Sequence, residues 1–136
     1  MSDRMESGAV EIAESSEHAA EAKRLPIFGR AELLEQCDGD EALMKKLICF
    51  FHEDTPRLLD EVRLSIGRRD GRALARSAHA LLSSLGMFGA HHARKLTEQL
   101  ENYGREQNYE HTERTFSALE GETAEIHAAL SALAAA

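Results

Sequence analysis

From Pro26 onward, apolar residues recur every three or four positions, the spacing of a single buried stripe on a helix. The cleanest stripe is Leu74, Ala78, Leu81, Leu85 and Phe88. It predicts a helix from about Gly71 to Met87. His79 falls off this stripe. It shares the opposite face with Ala75, Arg76, Leu82 and Ser83 and is expected to point towards solvent or a partner.

The other elements follow from the same periodicity and its interruptions. A short helix is predicted over Arg30 to Gln36, with Leu33 and Leu34 inward, broken by Asp38-Gly39-Asp40. Asp40 reads as the N-cap of the next helix, with Glu41 in its first turn. From there to about Arg68, the positions Leu43, Leu47, Phe50/Phe51, Leu58, Val62 and Ile66 keep helical spacing. Asp54-Thr55-Pro56 predicts either a kink or a fresh start at Thr55 with Pro56 in first place. A polar turn through Asp70 leads into the His79 helix. A further helix is predicted from Ala90 to Tyr103, with Ala93, Leu96, Leu100 and Tyr103 inward and Gly104 as its stop. The last runs from Tyr109 to Leu133, with Thr112, Phe116, Leu119, Ile126, Leu130 and Leu133 inward, and is weakened by Gly121 by about 1 kcal/mol. Short connections between these helices predict an all-α fold, an antiparallel up-down four-helix bundle preceded by a short N-terminal helix.

Residues 1–25 carry Ser, Glu, Ala and Gly with little apolar periodicity, and a disordered tail or linker is expected there, with at most a frayed helix over Glu11 to Ala22. Residues 26–136 form the predicted domain. An aromatic content of 5% with no Trp means that aliphatic and Ala packing must fill the core. The net charge of −8 argues against nucleic acid and anionic membranes as partners, since phosphate binding needs a basic surface. Cys49, inside an apolar run, is expected to be a buried free thiol, and with Cys37 it makes no disulfide framework. A reducing cytoplasm fits this usage. No apolar stretch approaches the ~20 residues of a membrane span, and the N-terminus carries no signal-peptide core.

The segment Ala78-His79-Ala80-Leu81-Leu82-Ser83-Ser84-Leu85-Gly86-Met87-Phe88-Gly89 resembles the signature of the histidine-containing phosphotransfer (HPt) domain. There an Ala-His pair is followed by x-Leu-Lys-Gly-Ser-small-x-x-apolar-Gly. Ala78, His79, Leu81, Ser84, Phe88 and Gly89 match. Leu82 stands where the family has Lys, Ser83 where it has Gly, and Leu85 where it has a small residue. The likeness extends over about residues 26–133 through Asp40, Leu43, Leu47, Phe51, Pro56, Leu58, Leu59 and Asp70.

The resemblance implies a phosphoryl carrier with no ATP site of its own. His79 would accept a phosphoryl group from the aspartyl phosphate of a response-regulator receiver domain, or of a hybrid sensor histidine kinase, and pass it to a second receiver. The chain itself would bind no cofactor, and the divalent metal would sit in the partner. A free imidazole titrates near 6.5, so a neutral ring nitrogen is available as a nucleophile at neutral pH. The carrier's task is then to hold that ring exposed and nearly immobile. The family Lys helps to neutralise phosphoryl oxygens. Leu82 cannot, which predicts several-fold slower transfer or a shorter-lived phosphohistidine. Arg76, one turn before His79, is a candidate replacement cation, equally readable as a solvated surface residue. Lys95 is a weaker one. Ser83 narrows access slightly, but its hydroxyl can hydrogen-bond the imidazole or a phosphoryl oxygen. Leu82 and Met87 offer apolar surface for receiver docking.

Other signals carry less. His91 and His92 are adjacent and point about 100° apart, so they make no two-ligand metal site. Asp38, Asp40 and Glu41 lack Ca²⁺-loop spacing, and no phosphate-binding Gly loop or nucleophile elbow is present. His18, His52, His111 and His127 read as surface residues. Two functions remain in competition, a phosphorelay intermediate and an HPt-like adaptor that binds a receiver or kinase without efficient transfer. A monomer is expected, because the docking face must stay open.

Overall fold

Five helices occupy most of residues 27–135, the part of the chain that the computed structural model describes. They are α1 (Arg30–Gln36), α2 (Glu41–Arg68), α3 (Gly71–Gly86), α4 (His91–Glu106) and α5 (Thr112–Ala135). No strand occurs among the described residues. The expected tail or linker over 1–25, its frayed helix and His18 lie outside them.

The helix boundaries have local chemical causes. The Asp40 carboxylate accepts the Leu43 N–H at 3.0 Å and starts α2, and the Asp70 carboxylate accepts the Ala73 N–H at 3.1 Å and starts α3. Arg69 adopts the left-handed region (φ 52°) to close α2, so two residues suffice to reverse the chain. Helix α2 runs unbroken through Pro56. The alternative of a fresh helix at Thr55 is therefore not what forms. Phe51, Thr55, Leu58 and Val62 stay on one buried stripe on both sides of the proline, and that packing carries the helix through the missing N–H.

Packing joins α2 to α3, α3 to α4, α4 to α5 and α5 back to α2, which closes the four-helix bundle, with α1 lying against α2. Leu74, Ala78, Leu81, Leu85 and Phe88 are all buried, as their stripe requires. In α2 the expected stripe holds from Phe51 through Leu58, Val62 and Ile66, but its N-terminal part is out of phase. Met44 and Ile48 are core residues, while Leu43 and Phe50 are exposed. The same phase corrects the cysteines. Cys49 follows Ile48 by 100° round the axis and is exposed, and Cys37 is the buried thiol.

Gly104 does not end α4, which continues to Glu106 and closes at Gln107 in the left-handed region. The glycine serves a close crossing instead. A Cβ at Gly104 would stand 2.6 Å from the Gly71 carbonyl oxygen and 2.8 Å from the Ala75 nitrogen. The backbones of α3 and α4 thus touch at Gly71 and Gly104, and this seam is the most extensive among the described helices. Gly89 also has a structural reason. It adopts φ 77°, and the Phe28 ring fills the space a side chain would need. The Phe28 N–H donates to the Phe88 carbonyl at 2.8 Å, which fastens the start of the described chain to this end of the bundle.

His52 and His127 are not simple surface residues. Both are half-buried between α2 and α5, with their Nδ1 atoms 2.5 Å apart. The ring planes differ by 22° and the centroids are 4.7 Å apart, so the rings meet nitrogen to nitrogen, edge to edge. One imidazole donates its Nδ1 proton to the other. His52 Nε2 lies 3.2 Å from the Ser131 hydroxyl, and Phe51 packs on His127. Burial, and after it the neighbouring His52, holds the His127 imidazole below its ordinary titration value. His111, also half-buried, takes a contact from Arg114 at 2.6 Å.

Candidate functional site

His79 projects from the middle of α3. Its neighbour Ala78 is fully buried, and 100° of rotation leaves the imidazole side chain 67% exposed. The ring is nevertheless held. Its Nδ1 lies 3.1 Å from Oε2 of Glu101 on α4. The Glu101 side chain is only 8% exposed, and Arg105, one turn further on, donates to the same oxygen. A carboxylate at Nδ1 favours the tautomer with its proton there, which leaves the Nε2 lone pair as the free nucleophile.

The sequence reading missed Glu101 and Arg105. The signal was present: Glu101 follows Ala93 and Thr97 at four-residue steps, so an acid occupies the buried phase of α4 with an Arg four residues on. An acid in a core phase needs partners, and His79 and Arg105 are those partners.

The other singled-out residues divide. Arg76 and Ser83 are exposed on the His79 side of α3, and Arg76 makes no ion pair among the described residues. Leu82 is half-buried, so it offers less apolar surface than expected, whereas Met87 is exposed. Ser84 lies five residues past His79, about 140° round the helix, and faces away from it. Gly89 is in the turn after α3, occupied with Phe28. Lys95 is exposed on α4. His92 pairs with Glu122 of α5 at 3.0 Å, away from His79, and among the described residues no three His, Cys, Asp or Glu converge as metal ligands. No described helix is long and apolar enough to cross a membrane.

The bundle thus displays an imidazole at His79 that is anchored by a carboxylate yet faces solvent, and His92 on α4 is a second such imidazole. The family model of the Hpt domain matches residues 46–136, and the chain belongs to that family. Its members are histidine phosphotransfer modules of phosphorelays. No curated protein and no solved structure matches the chain significantly.

Proposed function

We propose that the chain is a phosphorelay intermediate in which Nε2 of His79 accepts a phosphoryl group from a receiver aspartyl phosphate and returns it to a second receiver. The reading is supported above all by the exposed imidazole whose Nδ1 is engaged by the buried Glu101 carboxylate. The Nε2 lone pair forms the N–P bond while the acyl P–O bond breaks and the partner's aspartate leaves as carboxylate. The Nδ1 proton stays on the ring, which becomes cationic. Glu101, already in contact, stabilises that developing charge without reorganisation. Arg105 donates to the same Glu101 oxygen and keeps the carboxylate aimed. Arg76, three residues before His79 on the same helix and in no ion pair among the described residues, stands in for the missing Lys. Ser83 is placed to hydrogen-bond a phosphoryl oxygen. The divalent metal belongs to the receiver, and the chain needs no nucleotide of its own. Its partners are receiver domains, that of a hybrid sensor kinase among them, and it acts in the cytoplasm as a monomer.

Leu82 and Ser83, in place of Lys and Gly, favour a second reading, an adaptor that binds a receiver without efficient transfer. Incubation with a phosphorylated receiver separates the two. The carrier acquires an acid-labile, alkali-stable label that His79→Gln abolishes. Equal labelling of His79→Gln places the phosphate elsewhere. Intact receiver binding with no label supports the adaptor.

A further inference from the structure

We propose that the α3–α4 face flanking His79 is a docking surface for a carboxylate-rich partner surface, with Arg72 and Arg94 as its cations. The proposal rests on the phosphotransfer reading above. The chain has a net charge of −8, yet no Asp or Glu occurs between Asp70 and Glu98. That interval holds Arg72, Arg76, Arg94 and Lys95 as well as His79.

The fold gathers these charges. Arg72, His79 and Gly86 are spaced seven residues apart, two helical turns, and form one row on α3 facing α4. Arg94 reaches into this row from α4. Its Nε, Cδ and Cζ atoms lie 3.5, 3.9 and 4.0 Å from the place where a Gly86 Cβ would stand. The guanidinium stem therefore lies beside α3 at ordinary van der Waals distance from that point. Its Nε is buried and has no hydrogen-bond partner. Arg30, Arg57, Arg63 and Arg105 each pair with a carboxylate, and Arg68, Arg69 and Arg114 form no ion pair among the described residues. Arg72 and Arg94 pair with none among the described residues. Glu101 is taken up by Arg105 and His79, while the exposed carboxylates Glu98 and Glu106 on α4 and the cap Asp70 of α3 form no ion pair among the described residues. The row is therefore a cationic strip on an anionic molecule.

A partner that offers a carboxyl phosphate beside a hard divalent cation must present carboxylates around it, because such cations are held by oxygen ligands. The acidic remainder of this chain repels such a surface, whereas the strip attracts it. Complementarity of this kind sets orientation and on-rate more than final affinity.

The test uses the full chain, a receiver domain selected because it labels the wild type, and phosphoramidate as a small donor with no docking surface. Arg72→Glu and Arg94→Glu are compared with wild type by the ratio of receiver-driven to phosphoramidate-driven labelling, at low and at high salt. The ratio is expected to fall about tenfold for each reversal at low salt, with the difference shrinking as salt rises. Ratios unchanged in both variants overturn the docking surface, as does a parallel fall with both donors, which places the arginines in the chemistry. If Arg94→Glu loses its helical circular dichroism, exposed Arg72→Glu decides alone. Failure of every receiver to label the wild type defeats the carrier reading itself, a result distinct from any of these.

Discussion

Glu101 Oε2 lies 3.1 Å from His79 Nδ1, and it joins a nearly buried carboxylate on α4 to an exposed imidazole on α3. This contact decides which ring nitrogen carries the proton. A charge-assisted bond of this type contributes about 1.5–3 kcal/mol, and each 1.4 kcal/mol is a factor of ten. Glu101→Ala is therefore expected to slow phosphoryl transfer by about 10- to 100-fold, with Glu101→Gln retaining more of the rate. Stopped-flow or rapid-quench labelling across pH checks this. A merely structural Glu101 would alter stability and leave the pH profile of transfer in place.

Leu82→Lys restores a cation one turn after His79. An exposed charge contact is worth about 0–1 kcal/mol, so the phosphohistidine is expected to live up to several-fold longer. Ser83→Gly widens access and removes a hydroxyl. Hydrolysis and transfer rates measured in both variants decide the matter, and no change in either removes both positions from the mechanism.

Gly104 and Gly121 make a matched pair. Helix propensity alone has Gly→Ala stabilise each by about 1 kcal/mol. At Gly121 nothing lies within 4 Å of an added Cβ, so that gain is expected in full. At Gly104 the methyl group meets the backbone of α3, and a net loss of about 1–3 kcal/mol is expected. Urea denaturation of the two variants reads the opposite signs.

The His52–His127 pair predicts acid sensitivity. Burial first, and His52 second, lower the folded-state titration value of His127 below its unfolded value of about 6.5. Between those two values the unfolded chain binds more protons than the folded one. The stabilising contribution is thus complete above about pH 6.5 and is lost as pH falls through the folded value. No carboxylate is among the causes acting on His127. His127→Gln is expected to flatten this acid limb. His52→Gln removes only the second cause and leaves a smaller limb. Denaturation midpoints collected from about pH 8 down to pH 5 provide the comparison.

Much of the bundle was readable because its strongest signals are periodic. The stripe from Leu74 to Phe88 puts His79 outside on periodicity alone, and Asp40 and Asp70 cap helices because short carboxylates accept backbone N–H groups. The errors have equally specific causes. Leu43 and Leu47 compete with Met44 and Ile48 for the buried phase of α2, and hydrophobicity alone cannot choose between two stripes one residue apart. Cys49 lies in the same stretch, and the choice of stripe decides whether it is buried or, as here, exposed. Gly104 looked like a helix stop because a glycine that ends a helix and one that admits a neighbouring backbone are the same letter. Glu101 and the histidine pair are defined by contacts across helices, between residues 22 and 75 positions apart, which local periodicity does not report.

The backbone contact between Gly71 and Gly104 acts as a gauge for the chemistry above it. Two absent side chains set how near α3 and α4 come, and that spacing is what brings a carboxylate of modest reach up to the imidazole. On the proposed reading, the nucleophile's readiness is thus written partly in positions that never meet a phosphoryl group. A single methyl group added at the crossing would pry the helices apart and loosen the ring, although His79, Glu101 and Arg105 would all remain in the sequence.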